Sequence, residues 1–563
     1  MRKSYRYLLA ALATCGVVGA AAVTSQAQMD LGPKVDKTYG QGLPRDRDKL
    51  IFTDDQYPVW PLTPEQKAYA PINGARMKQH VVDLAQVALR YRDAGNKWWG
   101  RLPGTTADKE GMAYMTTEFE SLGLKVQHHP FMLPDDWRPT DFEASYKTAD
   151  GKTIELKTIF PVSDTKPTGT QGITAEAVWV GIGSGADFIG RDVKGKAVII
   201  YSTFVPGGRS HSASDRARVF DSNTRAARSG AAAIIDIMAV PGNGQFEPEG
   251  GVRDVPNFTL SQDEGFALKD RLDNGEKVVM NLKLVVPELT NVQTEYTIAT
   301  LPGMSDEQIV VMTHTDGYFQ AAMDNAAGMA SALELARFYA SRPLQDRPRT
   351  MTFIQFPDHH HGETSLRKYV EPMTPWDKVA VKLTMEHPSQ TLLYMYNDSL
   401  TPTNAVGAFR WNALGSPEFE KMIFNTLREF GVSVYAMEDG PKNGNFAPSF
   451  HIIDHIIYHT SLDVPELVPA TGLERATRAF AAALDRANKM TMSQLRGPAF
   501  PPKSGQGSLT GTSQRLAADT ARSAFGHESL FHTKPDCQRR KLFIGARGKS
   551  ARGQPPVPPA ARR

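Results

Sequence analysis

Three apolar runs in the middle of the chain end at side chains that bind metals or transfer protons, and this pattern limits the possible fold more than any other feature. The runs cover residues 309–313, 351–356 and 379–385, and each has the length and composition of a buried strand. A helical pattern of apolar residues follows Asp324, between the first two runs. Strands that alternate with a helix predict a parallel sheet covered by crossover helices.

Imidazoles and carboxylates follow the end of each run. In open parallel sheets, ligands bind beyond the carboxyl ends of the strands, so these groups are expected to meet at one rim. A further apolar segment, residues 455–460, is predicted to be a short strand that brings His459 to the same rim. The candidate residues are His314, Asp316, Asp324, Asp358, His359, His360, His361, Glu386, His387 and His459.

Length and composition indicate a soluble protein with more than one core. A chain of 563 residues is expected to form at least two domains. Its 41% hydrophobic and 22% charged residues are typical of soluble globular proteins. The formal net charge of +3 is close to balance, so no acidic partner such as nucleic acid is predicted.

The first 27 residues have the layout of a secretory signal peptide. A basic start is followed by the apolar run Leu8–Val23 and by a small-x-small site that ends at Ala27. An uncleaved membrane anchor is the weaker alternative, because the apolar run is short for a membrane span. Without a later transmembrane segment, the mature protein is predicted to be exported, to a periplasm or to the exterior.

The mature core contains no cysteine, since Cys15 lies in the signal peptide and Cys537 lies near the C-terminus. Any metal must therefore be bound by His, Asp and Glu. Residues 493–563 are rich in Gly, Pro, Ser and Arg, and no acidic residue follows Arg539. This composition predicts a disordered basic tail. A solvated extension without a binding role is the preferred interpretation, and a segment that binds nucleic acid or a membrane surface is the weaker alternative.

The residue types suggest a site with two metal ions. Side chains two apart on a strand share a face, so His314 can bind a metal while Asp316 accepts its second N–H. Asp324, at the predicted helix start, can bridge two cations. Carboxylates and imidazoles without sulfur suit zinc better than manganese or cobalt. Two ions about 3.5–4 Å apart would share a hydroxide and polarise a carbonyl group.

Each candidate also has an ordinary structural explanation. A single histidine at a strand end is more often hydrogen-bonded than metal-bound, and Asp324-Asn325 before a helix is a common N-cap. Glu386 alone could be a surface carboxylate. Taken together, four strand ends and one helix start that present ligand types favour a site over these separate explanations.

The same residues resemble peptidase family M28, the zinc exopeptidases of aminopeptidase and glutamate-carboxypeptidase type. The resemblance extends over residues 73–490, and its motifs are His314-Thr315-Asp316, Asp324–Gly328, Met385-Glu386-His387 and Tyr458-His459-Thr460 with Asp463. It implies a mixed, mostly parallel sheet flanked by helices, with a smaller α+β protease-associated insert. The implied divisions are residues 28–168 and 288–492 for the peptidase domain and residues 169–287 for the insert.

Position by position, the resemblance implies two zinc sites. His314, Asp324 and Glu386 would hold one zinc, and Asp324, His360 and His459 the other, although a single zinc is left open. His359 falls where the family places its general base, with Asp358 as the second candidate for that role. The family normally has Glu-Glu at the positions of His359 and His360. The metal ligands of this site therefore carry one fewer negative charge, and the pH–rate profile is expected to be shifted from that of the family.

Three functions are compatible with these residues. The first is an exported metal-dependent exopeptidase, an aminopeptidase by preference, that acts on peptides or proteins. The second is a catalytically impaired protein of this fold that binds peptides or proteins through its cleft and insert. The third is a hydrolase for another amide or an ester. The sequence predicts neither the side-chain preference nor the oligomeric state.

Overall fold

A computed structural model describes residues 52–201, 222–248, 252–396, 399–437, 446–453 and 456–497. The predicted signal peptide, His455 and all residues after 497 lie outside the described residues. Within the described part of the chain, no helix is both long enough and apolar enough to cross a bilayer.

The helices of the described chain are α1 Gly74–Asp93, α2 Thr106–Ser121, α3 Ser222–Arg228, α4 Gln262–Asp273, α5 Gly328–Ala340, α6 Glu371–Met373, α7 Pro417–Glu429, α8 Ala470–Ala487 and α9 Met492–Arg496. The strands are β1 Gly100–Arg101, β2 Lys125–Asp136, β3 Asp141–Lys147, β4 Thr153–Glu155, β5 Phe160–Pro161, β6 Gly169–Trp179, β7 Ala197–Tyr201, β8 Ala233–Ile237, β9 Asn257–Leu260, β10 Val279–Val285, β11 Leu289–Leu301, β12 Ser305–His314, β13 Gly317–Tyr318, β14 Arg349–Phe356, β15 Val379–Thr384, β16 Thr391–Tyr396, β17 Ser399–Val406, β18 Phe409–Leu414, β19 Val434–Met437 and β20 Ser449–Ile453.

The main sheet has eight strands in the order β19-β18-β20-β15-β12-β14-β11-β2. Its central strands are parallel, since β12 pairs in parallel with β14 and β15, and β15 with β20. Antiparallel pairs on both sides, such as β11 with β14 and β18 with β20, make the whole sheet mixed. The predicted α/β class with a mixed, mostly parallel sheet is confirmed for this sheet.

Burial on both faces explains why the central strands are continuous apolar runs. Along β12, Ile309 and Val311 pack into one core with α1, α5 and α8, whereas Val310 and Met312 pack into a second core on the opposite face. A strand covered on both faces has no reason to alternate apolar and polar residues. The register pairs His314 with Phe356, so β12 and β14 end level at one rim.

A second sheet, in the order β4-β3-β10-β6-β7-β8-β9-β5, is built from residues 141–285. Strands β6 to β9 are parallel, and the sheet has its own apolar core. Trp98, Tyr318 and Phe319 belong to that core, which therefore reaches the residues beside the rim of the main sheet. Strands β3, β4 and β5 precede Gly169, where the insert was predicted to begin; its assignment as a protease-associated domain stays a prediction.

Two local predictions differ from the structure. Residues 456–459 form a turn rather than a strand, because His459 has a left-handed backbone (φ 55°) that interrupts an extended segment. Asp324 does not open a regular helix: Asp324 and Asn325 have non-helical backbone angles inside a π turn, and α5 begins at Gly328.

The buried carboxyl of Asp108, in the first turn of α2, makes stability depend on pH. Its Oδ2 accepts hydrogen bonds from Gly104 N (2.7 Å) and Thr294 Oγ1 (2.6 Å), yet burial outweighs these bonds and raises the pKa of Asp108 to about 7. An acid with a raised pKa stabilises the fold when protonated, and this stabilisation is lost as the pH rises from about 4 to about 7. The shift corresponds to about 4 kcal/mol.

The denaturant concentration at the unfolding midpoint is therefore expected to fall less between pH 4 and pH 7 in Asp108→Asn than in the wild type. The variant lacks the group whose deprotonation destabilises the wild-type fold over this range. The amide oxygen can still accept both hydrogen bonds. Denaturant unfolding of both proteins across this range measures the difference, and parallel pH dependences would contradict the prediction.

Candidate metal centre

His314 ends β12 at the rim, and its side chain is fully buried. Its Nδ1 lies 3.1 Å from the carbonyl oxygen and 3.2 Å from the Oδ1 of Asp316, so Nδ1 carries the proton and donates to Asp316. Its Nε2 lies 3.3 Å from Asp324 Oδ1. Asp316 thus orients the imidazole, the role predicted for it, and leaves Nε2 as the nitrogen that can bind a cation.

Asp324 lies at the centre of the cluster and is held from both sides. Asp463 accepts hydrogen bonds from the backbone N–H groups of Met323 (2.7 Å) and Asp324 (3.0 Å). Asn325 Nδ2 donates to Thr313 Oγ1, His314 O and Met385 O, and so ties the turn to the ends of β12 and β15. The turn that carries Asp324 is therefore fixed by hydrogen bonds on each side of it.

Two predicted ligands meet the second oxygen of Asp324. His360 Nε2 lies 3.5 Å and His459 Nε2 3.2 Å from Asp324 Oδ2, and the two rings are 4.3 Å apart between centroids. Ligand atoms of these three residues lie within 4.8 Å of one another. The set predicted for the second cation therefore comes together in space from three separate segments.

The charge balance at Asp324 favours the ionised carboxylate. Burial would raise the pKa of Asp324, but the surrounding imidazoles, His360 and His387 foremost, hold that pKa well below its usual range. The same opposition operates at His314: burial lowers its pKa, whereas the neighbouring carboxylates of Asp316 and Asp324 raise that pKa to about 9. The imidazoles thus compensate a buried anion that would otherwise be costly.

The structure distinguishes the two candidates for the general base. His359 is partly exposed, lies face to face with His314 at 4.4 Å between ring centroids, and has its Nδ1 3.0 Å from Glu363 Oε1. Asp358 is buried, and its carboxylate accepts hydrogen bonds from the backbone N–H and the hydroxyl of Ser365. The Asp358 carboxylate is thus engaged in holding the chain that follows it.

Glu386 and its neighbour His387 follow β15. Glu386 is buried, and its candidate ligand atom groups with those of His314 and His359. His387, one of the strand-end candidates, is also buried, and its Nε2 lies 2.8 Å from Asp324 Oδ1. Its sequence signals are its position after the apolar run 379–385 and its place in the Met385-Glu386-His387 motif, and the family resemblance implied no ligand role for it.

Arg101 anchors the backbone beneath the site. It is fully buried, and its guanidinium donates to the carbonyl oxygens of Thr315 (3.0 Å), Leu84 (3.3 Å), Gln320 (3.1 Å) and Ala321 (3.0 Å). Three of these acceptors lie between His314 and Asp324. Arg101 therefore fixes the chain that connects the two residues.

Glu247 was missed by sequence reasoning, because it lies between β8 and β9 of the second sheet, far from any motif. It is fully buried; its carbonyl oxygen lies 3.2 Å and its Oε2 3.6 Å from His459 Nδ1. Its Oε1 accepts hydrogen bonds from the N–H and hydroxyl of Ser163. Glu247 thus keeps the proton of His459 on Nδ1 and its Nε2 towards Asp324.

Backbone pairing continues this connection. Glu247 N donates to His459 O (3.0 Å), Ser461 N donates to Gln245 O (3.0 Å), and Phe246 pairs with Thr460 in an antiparallel bridge. We name residues 245–247 and 459–461 the rim ladder. It joins the second sheet directly to the turn that carries His459.

Glu247→Gln is expected to weaken the cation bound by His459 by about 10-fold, the lower end of the effect of an outer partner, because it removes the charge 3.6 Å from Nδ1 and keeps the carbonyl oxygen that accepts its proton. Glu264→Gln is the matched control: Glu264 is another carboxylate of the second-sheet region and accepts from the backbone N–H groups of Lys157 and Thr158. Zinc titration against a chromophoric chelator measures both variants. Equal affinities in the two variants would contradict the role of Glu247.

The residues present fit a bound cation. His314 Nε2 and Asp324 Oδ2 are buried and make no hydrogen bond within the described chain. Buried polar atoms rarely stay unsatisfied, and an imidazole nitrogen and a carboxylate oxygen are both atom types that bind divalent cations.

Comparison with known proteins supports the family predicted from the motifs. Residues 297–362 match the model of peptidase family M28, and this segment includes His314, Asp324 and His360. A search of curated protein sequences found no significant match.

Solved structures with the same fold include three bacterial proteins. The peptidase M28 precursor from Shewanella amazonensis SB2B has a TM-score of 0.58 at 18% identity, over 80% of this chain and 100% of that one. The zinc aminopeptidase from Bacillus subtilis has a TM-score of 0.53 at 19% identity, over 76% and 98%. The aminopeptidase from Aneurinibacillus sp. strain AM-1 has a TM-score of 0.50 at 18% identity, over 81% and 99%. At these identities the likeness shows the fold alone.

The family match covers the segment that contains Asp324, and the structural similarity extends over most of the chain. The family match supports the predicted class of hydrolase. The resemblance to peptidase family M28 is therefore confirmed: residues 297–362 match the family model, within a fold shared with a peptidase M28 precursor and with a zinc aminopeptidase from Bacillus subtilis.

Proposed function

We propose that this protein is an exported metal-dependent exopeptidase, most specifically an aminopeptidase, that acts on peptides or proteins. The observation that carries the proposal is the Asp324 carboxylate, which has imidazoles of separate chain segments at both oxygens: His314 at Oδ1, and His360 and His459 at Oδ2. A bridging carboxylate with imidazoles on each side is suited to two zinc ions.

In this proposal, Asp324 is shared by the two cations. His314 belongs to the first cation, and His360 and His459 belong to the second. The family resemblance implies Glu386 as the third protein ligand of the first cation. Bound zinc would polarise the scissile carbonyl and lower the pKa of a water molecule.

The protein's own groups would orient the reaction and move the proton. Asp316 holds His314 so that Nε2 faces Asp324, and Asp463 holds the turn of Asp324 in place. His359 lies at the partly exposed edge of the cluster, with Nδ1 towards Glu363. Its Nε2 is then the nitrogen that would accept a proton from water and return it to the leaving amine.

The proposal is tested with zinc-loaded protein and matched substrates. Aminoacyl amides with a free N-terminus are expected to be hydrolysed, N-acetylated forms of the same amides much more slowly, and His314→Ala to lose the activity. His128→Ala removes an exposed histidine that pairs with Glu295 and serves as the control. Hydrolysis that is unchanged in His314→Ala would contradict a metal-dependent mechanism at this site.

His359→Ala is expected to lower kcat by about 10²- to 10⁴-fold, the usual effect of losing a positioned proton carrier, while the zinc content stays unchanged. Asp358→Asn is expected to have a much smaller effect on kcat at equal zinc content, because Asp358 is engaged with Ser365. Steady-state kinetics with metal analysis of each variant provides the measurement. A larger loss of kcat in Asp358→Asn than in His359→Ala would instead identify Asp358 as the general base.

A second function follows from the histidines at positions 359 and 360. If no metal supports turnover of any amide and the protein still binds peptides, the fold serves as a binding module. Peptide binding by calorimetry, run beside the activity assay, separates the two functions. Turnover of esters or other amides in the same panel would instead change the substrate class.

A further inference from the structure

The imidazoles around Asp324 are divided evenly between its two oxygens. His314 Nε2 and His387 Nε2 lie 3.3 and 2.8 Å from Oδ1. His360 Nε2 and His459 Nε2 lie 3.5 and 3.2 Å from Oδ2. Each carboxylate oxygen therefore faces two imidazole nitrogens of the type that binds metals.

The cluster at Oδ1 has the dimensions of a cation site. Ligand atoms of His314, Asp324 and His387 lie within 4.8 Å of one another, and all three residues are buried. The corresponding cluster at Oδ2 contains Asp324, His360 and His459. The two halves of the centre thus have the same composition, two imidazoles and one shared carboxylate.

Glu386 belongs to a different cluster. Its candidate ligand atom groups with those of His314 and His359, without Asp324. It therefore borders the first cation position on the side of His359, whereas His387 adjoins Asp324 directly.

The backbone of His387 supports a functional role. His387 has φ 45° and His459 has φ 55°, both in the left-handed region that non-glycine residues seldom adopt. Such conformations cost about 1–3 kcal/mol and persist where the surrounding structure requires them, which is frequently at functional sites. Both residues use this conformation at positions from which Nε2 approaches Asp324.

We propose that His387, rather than Glu386, is the third protein ligand of the first cation, with His314 and Asp324. This inference rests on the proposed function, since it concerns the same centre. Both cation positions then consist of two imidazoles and one carboxylate, a donor set in which imidazole suits zinc and also iron, copper and nickel. Glu386 is left beside His359, at the edge where the proton moves.

Zinc stoichiometry tests this assignment without reference to activity. The wild type, His387→Ala, Glu386→Gln and the control His128→Ala are saturated with zinc chloride, desalted and measured by elemental analysis. The expected contents are about two zinc ions for the wild type, Glu386→Gln and His128→Ala, and about one for His387→Ala. In His387→Ala, the affinity of the first cation position for zinc should fall by more than about 100-fold, which exceeds the effect of losing a residue that only orients a ligand.

A second variant at position 387 allows the assignment to be tested even if His387→Ala does not fold. His387→Asp supplies a carboxylate ligand at the same position and is expected to regain the second zinc that His387→Ala loses. Circular dichroism of the metal-free proteins shows whether each variant is folded. If His387→Ala does not fold, the comparison of His387→Asp with Glu386→Gln decides the assignment: the inference requires two zinc ions in both.

The outcomes separate this inference from the proposed function. Loss of one zinc in Glu386→Gln, with both retained in His387→Ala, would overturn the role of His387 and leave the metal centre intact. Absence of bound zinc in the wild type would overturn both proposals together.

Discussion

Asp324→Asn is expected to lose both zinc ions and to reduce hydrolysis to the rate in buffer. The substitution keeps the shape of the side chain but removes the one charge that four imidazoles share. Loss of a residue that only orients a ligand weakens metal binding by about 10- to 100-fold, so loss of a ligand shared by both cations should exceed that at each position. Elemental analysis and the amide assay measure the two effects.

Asp316→Asn is the graded comparison for this prediction. Asp316 accepts hydrogen bonds from His314 and from the backbone N–H of His360, so it acts on the centre through these two residues. It is expected to weaken the first cation without removing the second. If Asp324→Asn kept even one zinc at wild-type affinity, the shared carboxylate would be rejected as the centre of the site.

Arg101→Ala is expected to lower the free energy of unfolding of the metal-free protein by about 4 kcal/mol. The substitution leaves four buried carbonyl groups without their donor, and each costs about 1–3 kcal/mol when unsatisfied, partly offset by the desolvation of the guanidinium. That desolvation is visible in its pKa: burial lowers the pKa of Arg101 to about 10, against the opposing effect of the nearby carboxylates, first Asp324.

Arg90→Ala provides the control for this measurement. Arg90 also carries a guanidinium and pairs with Glu110, but both side chains are about half exposed, and such pairs contribute about 0–1 kcal/mol. Denaturant unfolding without zinc compares the two variants, since bound zinc would add its own stabilisation. A similar small effect for both would show that the carbonyls near Arg101 find other donors or water.

The sequence predicted the central strands and the rim well, for a physical reason. Strands buried on both faces leave long apolar runs, and the change from apolar to polar residues marks their ends at His314 and near His359. The start of α7 is also encoded locally, because Ser416 caps the helix and Pro417 begins it. These signals are local, and local patterns are what a single sequence displays.

Residues that reach the site through unusual backbone geometry were harder to predict. His387 follows Glu386, so alternation along a strand would point them in opposite directions; the left-handed backbone at His387 changes that direction. His459 likewise has a left-handed backbone, which directs its side chain towards Asp324 from a turn that the sequence pattern did not predict. Glu247 lies more than two hundred residues before His459 and carries no motif, so only the folded chain brings the two together.

The rim ladder has a consequence for protein engineering. Excising residues 141–285 to obtain a smaller enzyme would also remove the three residues that line one side of the His459 turn. Transplanting another module into that position would succeed only if the donor supplied an equivalent edge with an inward-facing acid. The rim ladder thus couples the two sheets, and chimeras with breakpoints that separate them are expected to bind less metal.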